Sequence, residues 1–198
     1  PRAPVVVLDP GHGGSDPGVT TAQGVEKQFT ADLAHAVRRA LQKGGIRMTV
    51  LLTREQDAAM ANDDRAAYSN AAGAAIFVSL HAAPGIERHV LILDPDEGQL
   101  LIPTAGAGDF LGFDAQSEQQ MRWDAQQAGH AEESGKLGRA LIRSLSGQEA
   151  EEPRQAPLAL LKPVNAAAAF VEVGTAQNRA QTAEALARGI ERYVNEKR

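Results

Sequence analysis

Three short apolar runs, VVVL (5–8), AIFVSL (75–80) and AAAFVEV (167–173), are separated by longer stretches with helical spacing. This alternation constrains the chain more than any other feature. Continuous β-branched and aliphatic runs of this length suit strands buried on both faces, and strands alternating with helices build a parallel sheet covered by helices. From Glu26 onward, Phe29, Leu33, Val37 and Leu41 form a helical stripe closed by Gly44-Gly45. IRMTVLLTR (46–54) alternates as a strand does, and 63–73 suits an Ala-rich helix with acidic residues in its first turn. HVLILDP (89–95) reads as a strand halted by Pro95, 96–117 as an irregular Gly-rich loop, 118–145 as a helix and 147–157 as a polar connection. The tail from Arg179 to Glu196 places Ala183, Leu186, Ala187, Ile190 and Val194 on one helical face. The expected fold is α/β: a single domain over residues 1–198, with a twisted, mostly parallel sheet flanked by helices.

A chain of 198 residues is long enough for a sizeable core. With 43% hydrophobic residues but only 4% aromatic, Ala, Leu and Val must do most of the packing. A net charge of −5 without a long basic run argues against a nucleic-acid partner. The lack of cysteine removes disulfides, thiolate metal sites and cysteine nucleophiles together. No apolar run approaches the ~20 residues a membrane span requires. The chain opens on Pro1 without an initiator Met or a signal peptide, and reads as a mature or trimmed segment.

The strand ends carry the chemistry. Strand 5–8 delivers Asp9 and His12, strand 75–80 delivers His81, and strand 168–173 delivers Glu172; Glu26 opens the first long helix. Ligands of parallel α/β sheets gather at the carboxyl ends of strands, and two imidazoles with a carboxylate are a common zinc set. The loop GHGGSDPG (11–18) is not a phosphate cradle: Asp16 stands where a dinucleotide fingerprint needs its third glycine, and no P-loop lysine is present. Taken singly, His12 and His81 are simply polar strand caps and Glu26 a first-turn carboxylate. Glu172, inside the greasy FVEV, needs an ion-pair partner, a metal or a function. His35 and His130 sit among polar neighbours and are expected to be solvated. His89, beside Arg88, could stand near the cleft mouth but receives no role.

The sequence resembles the catalytic domain of the zinc-dependent N-acetylmuramoyl-L-alanine amidases, bacterial cell-wall hydrolases of the third amidase family. VVLDPGHGGSDPG with GVEK (24–27), LLTREQD (51–57) with Arg65 and Asn70 ahead of FVSLHA (77–82), and FVEVGTAQN (170–178) resemble that family's three signatures in order and separation. The resemblance implies that His12, Glu26 and His81 bind Zn²⁺ and that Glu172 is the catalytic general base. It implies hydrolysis of the amide between N-acetylmuramic acid and L-alanine of peptidoglycan, in the periplasm or the extracellular envelope. It leaves room for an activator protein; a monomer is expected. Asp9 or a nearby carbonyl is expected to orient His12. Two departures bear on substrate preference: Ala83 stands where the family commonly has Asn, and Thr175-Ala176 where it often has larger apolar residues. The alternatives are a silent peptidoglycan-binding module and a zinc peptidase acting on the stem peptide. No plugging helix is expected in 96–117, although 118–133 could fold over the cleft.

Overall fold

The computed structural model describes residues 2–22, 24–94, 123–148 and 150–197. Six strands form one sheet: β1 (Val5–Pro10), β4 (Thr49–Leu52), β5 (Ile76–Ala83), β6 (Arg88–Leu93), β7 (Arg154–Ala156) and β8 (Ala167–Gly174). Their spatial order is β4-β1-β5-β8-β6-β7. The first four in that order run parallel; β6 runs antiparallel to β8, and β7 runs parallel to β6. The expected mostly parallel α/β sheet is therefore present, with its last two strands reversed. A two-stranded hairpin, β2 (Thr20–Thr21) and β3 (Gly24–Val25), stands outside it.

Alternation along the strands divides the core in two. Val6, Leu8, Ile76, Val78, Leu80, Ala169, Val171 and Val173 pack against α1 (Glu26–Lys43), α3 (Ala131–Ser146) and α4 (Arg179–Glu196). Val7, Phe77 and Ala168 face the other way, onto Ala66 of α2 (Asn62–Ala71) and onto Leu160, Leu161 and Val164. Burying both faces is what the unbroken apolar runs require. Each fully buried Leu or Ile contributes about 1.5–3 kcal/mol. The helical face read in the tail is the one α4 buries, and Asn178 caps that helix by accepting from the N–H groups of Ala180 and Gln181.

Some elements differ from expectation. The strand read at 46–54 is confined to Thr49–Leu52; Ile46 and Met48 pack on the core from an irregular approach, and Thr53 and Arg54 turn inward. The polar segment 147–157 contains β7, which can be polar because a sheet edge needs backbone pairing rather than two apolar faces. The helix read at 118–145 is a 3-10 stretch, Trp123–His130, followed by α3. Residues 118–122, and the loop expected at 96–117, lie outside the described residues. Gln127 is buried, its N–H donating to Lys162 O and its amide to Ala166 O, while Ser134 Oγ accepts from Ala168 N–H. This part of the segment thus packs beside the approach to β8.

Helices α3 and α4 are also tied by charge. Glu133 in the first turn of α3 accepts from Lys197 Nζ at 2.5 Å, Lys136 Nζ at 3.0 Å and the buried Tyr193 hydroxyl at 2.8 Å. Lys197 chiefly, outweighing partial burial, holds the Glu133 carboxyl down at about 2 against an ordinary 4.5. A carboxylate whose folded pKa is depressed stabilises the fold above its unfolded pKa, and that contribution is lost as pH falls through the folded value. Glu133→Gln should therefore lower the thermal midpoint at pH 7. The gap to the wild type should persist down to about pH 4.5 and close towards pH 2. A gap that does not change between pH 7 and pH 2 would sink this assignment.

Candidate metal centre and its neighbouring carboxylate

Past β1 the chain leaves the sheet, and its carbonyls lose their strand partners. Two buried arginines replace them. Arg54 donates to Pro10 O and Gly11 O at 3.0 and 2.9 Å, and Arg65 donates to Pro10 O and His12 O at 2.9 and 2.8 Å. Asp57 accepts from Gly14 N–H and Lys27 Nζ, so distant ends of two sequence motifs clamp the same loop. The clamp holds His12 at φ 62°, in the left-handed region that a non-glycine residue enters at a cost on the order of 1 kcal/mol.

Asp9 was expected beside His12 and is elsewhere. It shares the strand face of Val7, is wholly buried, and accepts from Thr53 Oγ1 at 2.6 Å, Arg65 Nη1 at 2.7 Å and Ser79 Oγ at 2.8 Å. Asp16 takes the expected place. A backbone bridge between Gly13 and Asp16 folds the loop back, and Asp16 Oδ2 lies 2.8 Å from His12 Nδ1. That contact holds the Asp16 carboxyl below its ordinary range and leaves His12 Nε2 for a ligand role.

His12, Glu26 and His81 converge: one donor atom from each lies within 4.8 Å of the others. Glu26 Oε2 is 3.1 Å from His12 Nε2, and Oε1 is 3.1 Å from His81 Nδ1. Glu26 is 4% exposed. Burial pushes its carboxyl up, but His81 and the N–H groups of Val19 and Ala82 outweigh it and hold the group down at about 2. It is therefore ionised, as a ligand must be. Two glycines make the convergence possible. A Cβ on Gly11 would overlap the His81 ring, and one on Gly18 (φ 64°) would come within 2.6 Å of both Glu26 Oε2 and His12 Cδ2. Donors about 2.0–2.2 Å from a tetrahedral zinc lie roughly 3.3 Å apart, so this set of two imidazoles and a carboxylate fits zinc with a coordination position to spare.

Glu172 lies in the next strand, in register with His81 on parallel β5 and with His89 on antiparallel β6. Residues paired across strands share a sheet face, so His81, Glu172 and His89 form a row. Phe170, two residues earlier on the same face, stacks on the His81 ring with centroids 4.3 Å apart. The partner of Glu172 is His89, with Nδ1 to Oε2 at 3.2 Å, rather than an arginine. The sequence reading assigned no role to Asp16, Phe170 or His89. His89 alone had a signal, a histidine in a strand that opens near the other strand ends. The two departures meet as well: Thr175 N–H donates to Ala83 O. The other histidines are not free: His35 Nδ1 lies 3.0 Å from Arg38 Nη2, and His130 Nε2 lies 2.8 Å from Asn165 Oδ1.

A mostly parallel α/β sheet, with a His–Glu–His cluster set by two strand ends and the start of α1, defines an α/β protein with a candidate metal site. Residues 6–193 match the N-acetylmuramoyl-L-alanine amidase family, and the chain belongs to that family. It is 27% identical over 98% of its length to the N-acetylmuramoyl-L-alanine amidase AmiC of Neisseria meningitidis serogroup B, and spans 53% of that protein. The fold is shared with the N-acetylmuramoyl-L-alanine amidase of Clostridium difficile 630, at TM-score 0.69 and 19% identity, covering 99% of both chains. It is also shared with the CwlD amidase of Clostridioides difficile, solved in complex with the GerS lipoprotein, at TM-score 0.68 and 17% identity, covering 98% of this chain and 99% of that one. No helix among the described residues is long and apolar enough to cross a membrane.

Proposed function

We propose that residues 1–198 act as one zinc-dependent catalytic domain that cleaves the amide between N-acetylmuramic acid and the L-alanine of peptidoglycan stem peptides, in the periplasm or extracellular envelope. The convergence of His12, Glu26 and His81 beside Glu172, in a chain of this family, carries the reading. His12, Glu26 and His81 would hold the zinc, which would supply a Lewis acid for the scissile carbonyl and lower the pKa of a water towards ~7. The rest falls to the protein. Asp16 holds His12 with Nε2 directed at Glu26, and Val19 and Ala82 keep Glu26 ionised through their N–H groups. The Glu172 carboxylate takes a proton from the attacking water, then gives it to the alanine nitrogen as the C–N bond breaks. The products are a free lactyl carboxylate and a free L-alanine amine. A protein partner, as in the complex of CwlD with the GerS lipoprotein, is compatible with this reading.

Digestion of purified peptidoglycan tests it. With about one zinc per chain, new amino groups should belong to L-alanine while the glycan strands keep their length. New amino groups further along the stem would make the protein a peptidase, and binding with no release would make it a wall-binding module.

A further inference from the structure

The Glu172 carboxylate has no ion-pair or hydrogen-bond partner among the described residues except His89. This is an unusual setting for a group that must present one oxygen to a water in a fixed direction. The neighbouring strand on one side, β5, carries His81 of the metal-type cluster, whose ring is stacked on Phe170. The neighbouring strand on the other side, β6, carries His89 directly opposite Glu172. Adjacent strands are about 4.8 Å apart, so His89 reaches the carboxylate from the flank away from the ligands. Glu172 and His89 are both 29% exposed, and an unheld glutamate at that exposure would sample several rotamers.

We infer that His89 is the positioning residue of Glu172: its imidazole donates from Nδ1–H to Oε2 and so turns Oε1 towards the reacting water. The inference rests on the reading of Glu172 as general base. A neutral imidazole donates from one nitrogen only, so the contact selects the Nδ1–H tautomer. The pairing of β6 with β8 sets the contact. His89 is the second residue of β6, and its β8 partner is Glu172 itself. His89 thereby belongs to the site although it touches neither a metal ligand nor, on this reading, the substrate.

The test compares wild type, His89→Phe, His89→Asn, Glu172→Gln and the Glu172→Gln/His89→Phe double variant on a soluble muropeptide, with zinc content measured for each. His89→Phe should lower kcat about 10- to 100-fold, as loss of orientation does, with KM and zinc content held. His89→Asn places an amide N–H₂ where Nδ1 was and should restore most of the loss. On the residual rate of Glu172→Gln, His89→Phe should have no further effect, because the two residues act as a unit. In ¹⁵N NMR without substrate, His89 should be the Nδ1–H tautomer in the wild type and revert to Nε2–H in Glu172→Ala. An unchanged kcat in His89→Phe, an equal loss in His89→Asn, or an Nε2–H wild type would overturn the inference. Turnover retained by Glu172→Gln would instead remove the general-base reading. The tautomer of His89, measured without turnover, separates that failure from this one.

Discussion

Glu172→Gln is expected to lower turnover of peptidoglycan fragments by about 10²–10⁴-fold, the range a general acid–base group supplies. The amide keeps the size of the carboxylate and can still accept from His89, so the sheet and the row across β5, β8 and β6 should survive. What is lost is the oxygen able to take and return a proton. Zinc content should stay near one per chain, because the metal-type cluster consists of His12, Glu26 and His81. His12→Ala should do the reverse and lose the metal. Metal analysis beside steady-state kinetics separates the two. Equal zinc loss in both variants would end the division of roles, and near-normal turnover in Glu172→Gln would remove Glu172 from the chemistry.

The second large effect is on stability. Arg65→Ala should destabilise the fold by about 3–5 kcal/mol, the cost of breaking a buried ion pair from one side. Arg65 is 4% exposed and Asp9 0%, with 2.7 Å between Nη1 and Oδ1. Removing the guanidinium leaves the Asp9 carboxylate, among the described residues, with only the Thr53 and Ser79 hydroxyls. It also takes donors from Pro10 O and His12 O. For a chain of this size each kcal/mol moves the thermal midpoint by roughly 2–4 °C. Thermal or denaturant unfolding reads the loss directly. Adding Asp9→Asn to Arg65→Ala should recover part of it, since a neutral amide costs less to bury than an unpaired charge. A loss below about 1 kcal/mol for Arg65→Ala would mean that the pair does not hold the loop.

Much of this molecule was legible from residue order. β1, β5 and β8 announced themselves because strands buried on both faces must be apolar without interruption, and α1 and α4 because one buried face demands helical spacing. The exposed β2–β3 hairpin and the polar edge strand β7 carried no such demand and left no pattern. The candidate ligands were legible because three strand ends and one helix start carried His or Glu, with the family resemblance adding their roles. Asp16 was missed in favour of Asp9, since neither residue's spacing states which face of the loop it occupies. The backbone bridge at Gly13 and Asp16 decided that.

The sequence by itself determined the α/β class, the strands that bury both faces, and which residues could reach a metal. These are local properties, written in hydrophobic period and in residue type. Only the tertiary structure decided that Arg54 and Arg65 clamp the glycine loop, that Asp16 serves His12, and that β6 reverses beside β8 to set His89 against Glu172. The arginine clamp and the His89–Glu172 contact depend on register between segments far apart in the chain, where a slip of one residue would turn His89 to the opposite face. Such pairings are selected by the packing of the whole sheet, and no stretch of either partner states them alone.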